Sequence, residues 1–508
     1  MKNVRVRFAP SPTGGLHLGG VRTVLYNYLF ARQHGGQFIL RIEDTDQNRF
    51  VAGAEDYITD CLNWVGLIPD ESPMKGGHYA PYRQSERKEL YHKYATQLVN
   101  QGHAYYAFDT PEELENMRSV FKTEHQPSPQ YDAKLRMKMN NSLTLDKSET
   151  LKLISEGHPH VIRIKMPEHE EVHFTDMIRG EVSFQAGQSD DKVLLKTDGM
   201  PTYHLAVVVD DYLMKITHAF RGEEWLPSAP AHILLWKWLG WEKVMPQWAH
   251  LPLILKPDGH GKLSKRDGDK LGFPVFAMNW TDPKTGELTE GFREKGFLPE
   301  AFINMLAVLG WNDGTEQELF TMDELVEKFS IDRVHKGGAK FDYEKAKWFN
   351  HEWIKRSSNE RLFPDVKYIL QNAGIETRDD VLLSVIELVK ERCTLLTDFP
   401  SQSSFFFKRP EQYDLDAIRG KWNIDKAAYF HELITRFKML EDWFPAIVET
   451  VFKALAADQN IKAGELLFSL RIMLVGGKFG PPVFDIAGIL GKEETIARIS
   501  QILQLLAD

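Results

Sequence analysis

Cysteine is scarce in this chain of 508 residues, and its scarcity excludes two classes of protein. Cys61 and Cys393 are the only two cysteines, and neither belongs to a CxxC pair. A zinc site built from cysteines and a disulfide framework are therefore not expected. Because disulfide-stabilised proteins belong to oxidising compartments, the cysteine content favours an intracellular protein.

Long hydrophobic runs are also missing. No stretch approaches roughly eighteen uninterrupted apolar residues, so no membrane-spanning helix is expected. The N-terminal stretch Met1 to Arg5 lacks the apolar segment of a secretory signal. We therefore expect a cytoplasmic protein that has no contact with a membrane.

Positive charge is not in excess either. The formal net charge of −10 argues against a protein whose whole surface binds nucleic acid, although a local basic face remains open. Hydrophobic residues make up 43% of the chain and charged residues 26%, which is the composition of an ordinary globular protein. At this length roughly two to four domains are expected.

The first hundred residues alternate between strand and helix patterns. Residues 4–8 show the period of a strand, and residues 21–29 show helical spacing that stops at Gly35. A second strand is predicted at residues 38–42 and a second helix at 52–65. Strand, helix and strand joined by short loops indicate a right-handed parallel βαβ unit.

This rhythm breaks between residues 97 and 199, which we interpret as an α+β insertion with a strand near residues 161–164. The βα rhythm then resumes. Residues 203–209 and 216–220 are predicted to be strands, and residues 229–239 a helix rich in Leu and Trp. A nucleotide-binding sheet that is split by an inserted domain is the simplest description.

Strand patterns nearly vanish beyond about residue 295. Helical spacing is found at residues 301–309, 342–355, 381–396 and 426–440. These patterns therefore predict an α/β domain with an α+β insertion, followed by an all-α C-terminal region.

The segment from Ala9 to Gly20 joins the first strand to the N-terminus of a helix. Small residues such as Gly19 and Gly20 allow a phosphate-bearing ligand to approach the backbone, and a helix N-terminus favours anions. His17 can donate a hydrogen bond to a phosphate on which negative charge builds. The alternative interpretation is a tight turn whose histidine is already hydrogen-bonded, and this segment alone does not decide between them.

A second segment, Lys262-Leu263-Ser264-Lys265-Arg266, lies between Gly-containing turns. Two lysines three residues apart can hold a polyphosphate that is attacked at its α-phosphorus. A solvated basic loop explains an isolated motif of this kind better. The motif indicates a nucleotide site only in combination with the segment around His17.

Together the two segments resemble the signatures of class I aminoacyl-tRNA synthetases. Further strings, in family order, resemble the glutamyl-tRNA synthetases of bacterial type. They cover residues 1 to about 350 densely and thin out in the helical half. The strings are RFAPSPTGGLHLGG (residues 7–20), RIEDTD (41–46), PYRQSER (81–87), TDGMPTYH (197–204), VVDD (208–211), RGEEW (221–225) and KLSKR (262–266).

The resemblance implies that the enzyme is a glutamate–tRNA ligase. ATP would activate L-glutamate as glutamyl-adenylate, and the glutamate would pass to the 3′ end of tRNA(Glu). No protein nucleophile is needed, so catalysis rests on positioning and electrostatic stabilisation. Mg²⁺ is expected with ATP, zinc is not, and the enzyme is expected to be a monomer.

Pattern and resemblance together divide the chain into five segments. They are the first half of the Rossmann catalytic domain (1–96), an inserted domain for the tRNA acceptor end (97–199), the second half of the catalytic domain (200–258), the KLSKR loop with a stem-contact domain (259–345) and a helical anticodon-binding domain (346–508).

The resemblance also assigns site residues by position. The glutamate-binding positions are Arg7, Ser11, Glu43, Tyr203 and Arg221. The ATP-binding positions are His17, Gly19, Gly20, Glu224 and Lys265, and the catalytic positions are His17, Lys262 and Lys265. Ala9, Gly19, Lys262 and Arg266 are further motif positions. We expect Arg7 and Arg221 to bind carboxylates and Glu43 to bind the ammonium group.

Three positions leave alternatives open. Val207 stands where some members of the family have Asn, so a polar contact with glutamate is in question there. Arg392 aligns with an arginine that accompanies strict preference for tRNA(Glu); the alternative is a non-discriminating enzyme that also charges tRNA(Gln). The aromatic and basic segment 405–409 suits either base stacking or the edge of a hydrophobic core.

Overall fold

The computed structural model describes residues 3–124, 127–420 and 422–507. The chain forms two compact units. The first comprises Met1–Glu294 and Phe302–Tyr343, and the second comprises Lys295–Ala301 and Glu344–Asp508. None of the helices among the described residues is long and apolar enough to cross a membrane.

All strands among the described residues lie within the first unit. They are β1 (Arg5–Phe8), β2 (Gln37–Leu40), β3 (Ala104–Ala107), β4 (Val161–Ile164), β5 (Glu171–Asp176), β6 (Gly180–Gln185), β7 (Val193–Leu195), β8 (His218–Gly222), β9 (Gln247–Leu251), β10 (Ile254–Leu255), β11 (Trp280–Thr281), β12 (Leu288–Thr289) and β13 (Ala339–Lys340).

Helices run through the whole chain. Those that begin before residue 343 are α1 (Leu18–Gln33), α2 (Ala54–Trp64), α3 (Lys88–Asn100), α4 (Pro111–Val120), α5 (Lys147–Ser155), α6 (Tyr203–Leu213), α7 (Ala229–Trp238), α8 (Lys265–Leu271), α9 (Pro299–Val308) and α10 (Met322–Lys328). The others are α11 (Tyr343–Arg356), α12 (Asn359–Asn372), α13 (Asp379–Val389), α14 (Phe399–Phe407), α15 (Leu415–Arg419), α16 (Ile424–Lys438), α17 (Pro445–Asp458), α18 (Ala463–Val475), α19 (Val483–Leu490) and α20 (Lys492–Ala507).

The predicted βαβ unit is present. β1 and β2 pair in parallel, with Arg5 opposite Gln37 and Phe8 opposite Leu40. The chain returns from α1 to β2 through Gly36, where a Cβ atom would lie only 2.4 Å from the carbonyl oxygen of Val4. This close approach requires glycine, and it starts β2 directly beside β1.

β1 departs from the simple alternation that its sequence suggests. All four of its residues are buried, including Arg5 and Arg7. The guanidinium of Arg5 lies 2.9 Å from Glu71, and that of Arg7 lies 3.1 Å from Asp211. The polar positions of the strand are therefore interior ion pairs, because a buried charge requires a partner.

Two sheets include strands from the predicted insertion. β3, β4 and β7 form one antiparallel sheet. β5 and β6 instead join a mixed sheet of order β6-β5-β9-β8, in which β8 and β9 are parallel. The α/β class with an inserted α+β portion is confirmed, and the predicted segment boundaries remain a prediction.

The strand predicted at residues 203–209 is wrong. These residues form the first two turns of α6, whose residues 205–211 are all buried. An apolar run that is buried on every side has no polar face, so periodicity cannot separate a helix from a strand. Asp210 at the end of the run accepts hydrogen bonds from Arg87 and Tyr91, both at 2.8 Å, which holds α6 against α3.

Two other boundaries also differ from prediction. The strand expected at 216–220 is β8, displaced by two residues to His218–Gly222. The helix expected at 381–396 ends at Val389 and passes into a 3₁₀ turn, Lys390–Arg392. Helix ends are defined by capping rather than by apolar spacing, so spacing alone locates them poorly.

The second unit contains only helices among its described residues, as predicted. Phe405 and Phe406 are buried at the end of α14 with their ring centroids 4.5 Å apart. Arg409 forms an ion pair with Glu494 at 2.7 Å. These contacts favour the core-edge interpretation of the aromatic and basic segment over base stacking.

Candidate functional site

A cavity of about 1210 Å³ opens in the first unit at the ends of β1, β2 and β8. It brings together most of the residues that the sequence predicts for the site, which are Arg7, Ala9, Ser11, His17, Gly19, Gly20, Glu43, Tyr203, Arg221, Glu224 and Lys262. Lys265 and Arg266 are not among the lining residues, and Arg392 belongs to the other unit.

His17 stands at the N-terminus of α1 and is held by the backbone. Its Nδ1 accepts a hydrogen bond from the amide of Gly19 at 3.2 Å. Burial, with the charge of Lys262 as the smaller cause, lowers the pKa of His17 to about 4. The ring is therefore neutral with its proton on Nε2, a buried atom without a hydrogen-bond partner among the described residues. This leaves a donor for a ligand in the cavity.

Gly19 follows His17 in the first turn of α1. A Cβ atom at this position would meet only the Nδ1 of His17, at an ordinary distance of 3.6 Å. Packing therefore does not require glycine at this position. Its effect is to leave the N-terminus of α1 without a side chain toward the cavity, where the helix dipole favours an anion.

Arg7 is less available than the sequence suggests. Its Nε and Nη2 atoms both donate to Asp211, and its Nη1 donates to the carbonyl oxygen of Phe220 at 3.1 Å. Arg41 also donates to Asp211, at 2.8 Å. A ligand carboxylate would therefore meet a guanidinium whose charge a protein carboxylate already balances in part.

Glu43 lies beside this cluster. Its Oε1 accepts a hydrogen bond from Arg41 at 3.1 Å, and the side chain is buried. Burial raises the pKa of Glu43 to about 7, although Arg41 and Arg7 oppose the shift. The charge of this carboxylate therefore changes near neutral pH.

Arg221 has a different environment. Its Nε donates to His250 at 2.8 Å, and its Nη1 contacts His232 at 3.0 Å and Tyr203 at 3.3 Å. Its Nη2 is buried without a hydrogen-bond partner among the described residues. The guanidinium also lies over the ring of Trp248, 4.4 Å from the centroid. It is rigidly held and has unused donor capacity.

The KLSKR segment is not one loop. Ser264 caps α8 in a reciprocal arrangement with Asp267, and Lys265 is the first residue of the helix. Lys265 forms an ion pair with Glu287 at 3.0 Å, whereas Lys262 lies before the helix and pairs with Glu224 at 2.5 Å. The expectation of two lysines in a single loop is therefore wrong, since capping starts a helix between them.

Two further acidic residues have structural contacts. Asp44 accepts hydrogen bonds from the backbone and side chain of Ser85, at 2.8 and 2.5 Å. Asp46 pairs with Arg49 at 2.6 Å. Both carboxylates are therefore engaged by the protein itself, Asp44 through hydrogen bonds and Asp46 through an ion pair.

Several residues around the cavity were missed from sequence. Arg41 and Asp211 lie within the RIEDTD and VVDD strings and could have been found there, because an arginine and a carboxylate in buried strings need partners. His232 and His250 lie outside every string. No local signal identifies them, since their contacts to Arg221 come from the fold.

A second cavity, of about 910 Å³, lies in the second unit. Arg392 lines it together with Glu387, Glu391 and Asp485. The other charged residues that line this cavity are thus all acidic. Its relation to tRNA choice remains a prediction.

Comparison with known proteins assigns each of the two units to a family. Residues 3–348 match the family described as tRNA synthetases class I (E and Q), catalytic domain, and residues 344–503 match the family described as anticodon binding domain. The chain is 52% identical over 506 residues to the glutamate–tRNA ligase of Phocaeicola vulgatus, with 99% of each chain covered. It is likewise 52% identical over 509 residues to that of Amoebophilus asiaticus, again with 99% of each covered.

Solved structures agree with the sequence comparison. A glutamate tRNA ligase from Elizabethkingia meningosepticum, crystallised in complex with its amino acid, superposes with a TM-score of 0.94 at 49% identity, covering 99% of this chain and 100% of that one. The glutamate–tRNA synthetase of Elizabethkingia anophelis gives a TM-score of 0.91 at 49% identity, with the same coverage. The chain therefore belongs to the glutamate–tRNA ligases, a family of class I aminoacyl-tRNA synthetases.

Proposed function

We propose that the protein activates L-glutamate with ATP and transfers it to the 3′ end of tRNA(Glu). The observation that carries the proposal is the cavity of the first unit. It places the neutral donor of His17 at a helix N-terminus and the buried guanidinium of Arg221 around one space. An anion-binding helix end and a free cationic donor are what a nucleotide and an acidic amino acid require.

The first step joins glutamate to AMP. An oxygen of the α-carboxylate attacks the α-phosphorus of ATP, a new O–P bond forms, and pyrophosphate leaves. His17 Nε2–H, the dipole of α1 and the lysines Lys262 and Lys265 would stabilise the charge on the phosphates, which Gly19 and Gly20 allow to approach the helix end. Glu224 would lie near the ribose, in the place that its ion pair with Lys262 defines.

Mg²⁺ would accompany ATP. Among the residues that the structure describes, no group of three or more His, Cys, Asp or Glu side chains could hold a metal ion. In nucleotide sites Mg²⁺ is commonly held by the phosphates of the nucleotide and by water, and we propose the same arrangement here.

Glutamate binding would use the opposite part of the cavity. Arg221 would donate a hydrogen bond from its unused Nη2 to one carboxylate. Arg7 would contribute a second positive charge, part of which Asp211 already balances. Glu43 would take the ammonium group, with Ser11 and Tyr203 completing the pocket. Val207 lies one helical turn after Tyr203, is buried and is not among the residues that line the cavity, so we propose no contact between it and glutamate.

The second step transfers glutamate to tRNA. The terminal ribose hydroxyl attacks the carbonyl carbon of the adenylate, an ester forms, and AMP leaves. Segment 97–199 would bind the acceptor end, segment 259–345 the stem, and the second unit the anticodon. Arg392 supports a discriminating enzyme for tRNA(Glu). We further propose that the protein acts as a monomer in the cytoplasm.

ATP–pyrophosphate exchange tests the activation step. Exchange should depend on L-glutamate and should be measured with and without tRNA(Glu), because members of this family can require tRNA for activation. L-Glutamine at the same concentration is the control and should support little exchange. Exchange that is independent of glutamate in both conditions would contradict the proposal.

A further inference from the structure

Arg221 differs from Arg5, Arg7 and Arg87 in what holds it, and from Arg22 and Arg163, which donate to backbone carbonyls. Arg5, Arg7 and Arg87 each lie within 3.1 Å of a buried carboxylate. Arg221 is only 5% exposed, yet within the described part of the chain its hydrogen-bond partners are two imidazoles and a phenol. Burying a cation without a carboxylate partner lowers the stability of the fold. The presence of such a cation beside the cavity therefore points to a role in binding an anion.

The hydrogen bonds of His250 define its tautomer. Its Nδ1 lies 2.6 Å from Asp176 Oδ2, so Nδ1 carries the proton and donates it to the carboxylate. Its Nε2 therefore has a lone pair, which accepts from Arg221 Nε at 2.8 Å. Asp176 is itself fixed by the backbone amides of His250 and Ile178.

The hydrogen bonds of His232 define its tautomer in the same way. Arg221 Nη1 can only donate, so His232 Nδ1 accepts at 3.0 Å and the ring proton sits on Nε2. That proton is donated to His204 Nδ1 at 3.2 Å. His204 also lines the cavity, so a continuous chain of hydrogen bonds runs from Arg221 back to the cavity wall.

Each ring in this chain is neutral. Burial lowers the pKa of His232 well below its usual value and that of His204 to about 4. Burial also lowers the pKa of His250, although Asp176 opposes the shift. Arg221 stays charged at neutral pH. Its charge is therefore held in place by lone pairs and is not cancelled by an adjacent anion.

We infer that His232 and His250 are positioning residues that set the preference for an acidic over an amide substrate. By holding Arg221 with neutral acceptors, they leave its full charge and its free Nη2 for the side-chain carboxylate of glutamate. A carboxylate in their place would pair with Arg221 and remove the advantage of glutamate over glutamine. The inference rests on the proposed function and deepens it.

A matched pair of substitutions at position 232 tests the inference. In His232→Asn an amide oxygen can occupy the place of Nδ1, so the neutral acceptor is kept. His232→Asp has the same shape and adds a negative charge. Glutamate- and glutamine-dependent ATP–pyrophosphate exchange should be measured for both full-length variants in the presence of tRNA(Glu), with KM and kcat determined separately.

We expect His232→Asn to keep the ratio of kcat/KM for glutamate to that for glutamine within about threefold of the unaltered protein. His232→Asp should lower this ratio by about 10- to 100-fold, mainly through a higher KM for glutamate, since hydrogen bonds to charged groups are worth factors of this size. The KM for ATP should change by less than about twofold, because His232 is fully buried and is not among the residues that line the cavity.

Equal ratios in the two variants would overturn the inference alone. Absence of glutamate-dependent exchange in the unaltered protein would instead overturn the proposed function and the inference with it. Should thermal melting show that either variant is unfolded, His250→Gln and His250→Glu replace the pair, because a glutamine oxygen can occupy the place of Nε2. The same contrast is expected there, and its absence would equally contradict the inference.

Discussion

Glu43 has a carboxyl group whose charge changes near neutral pH. A carboxyl group is protonated below its pKa and charged above it, and burial raises the pKa of Glu43 to about 7. If Glu43 binds the ammonium group, then kcat/KM for glutamate should rise about tenfold between pH 6 and pH 8, following the ionised fraction. Glutamate-dependent exchange measured across this range provides the test.

Glu43→Gln is the control for this pH dependence. The amide does not titrate, so kcat/KM for glutamate should be lower at pH 8 and nearly constant from pH 6 to pH 8. The same tenfold rise in the variant would show that another group is responsible, and would remove Glu43 from the ammonium site.

Lys265 is a residue whose predicted role is not visible in its present contacts. It pairs with Glu287 and does not line the cavity. If it stabilises the phosphates during activation, Lys265→Ala should slow adenylate formation by about 10²- to 10³-fold while the melting temperature stays nearly unchanged. Single-turnover formation of glutamyl-adenylate in the presence of tRNA(Glu) is the measurement.

Lys270→Ala is a matched control for Lys265→Ala. Both lysines lie in α8, and Lys270 is exposed. The control should form adenylate at the rate of the unaltered protein. Similar losses in both variants would point to damage of the helix rather than to loss of a phosphate contact.

The short sequence strings identified the site residues, but they did not identify the hydrogen-bond partners of those residues. Arg7, Glu43 and Arg221 were found because each lies in a string, and the structure places all three around the cavity. Their partners come from distant parts of the chain, as with Asp211 for Arg7 and His250 for Arg221. Residues separated by the fold carry no shared local pattern, so these pairings could not be predicted.

At the scale of elements, α6 shows where pattern alone fails. The spacing of apolar residues predicted β1, α1 and β2 because polar and apolar residues alternate in the sequence of β1 and the glycines at 35 and 36 separate α1 from β2. α6 is buried on all sides, and its sequence Leu205 to Val209 suits a strand equally well. Its identity as a helix depends on packing and on the ion pairs of Asp210 and Asp211, which are contacts across the fold.

This dependence can be measured through Asp211. Its carboxylate accepts hydrogen bonds from Arg7 and Arg41, and all three side chains are buried. Asp211→Asn leaves two buried guanidinium groups without full compensation, so the free energy of unfolding should fall by about 3–5 kcal/mol. Urea unfolding of the full chain, followed by circular dichroism and tryptophan fluorescence, gives this value.

Asp46→Asn provides the comparison. Asp46 also pairs with an arginine, but the pair with Arg49 is exposed. Such pairs contribute about 0–1 kcal/mol, so the free energy of unfolding should change little. A loss for Asp211→Asn no larger than that for Asp46→Asn would contradict the role of the buried cluster in holding α6.

At the scale of the whole molecule, the order of segments was predictable and their contacts were not. The α/β first half and the helical second half follow from periodicity and from the resemblance, and the two matched families cover the same two parts. The sequence did not predict that β5 and β6 pair with β9 in one sheet. Strand pairing between segments far apart in sequence leaves no local pattern.

The most direct test of the central claim is the charging of purified tRNA transcripts by the full chain. With ATP, Mg²⁺ and labelled L-glutamate, we predict that tRNA(Glu) becomes esterified to near completion and that tRNA(Gln) remains essentially uncharged. Equal charging of both would contradict the discriminating role inferred from Arg392. If tRNA(Glu) is not charged in this reaction, the result would contradict the proposed function itself.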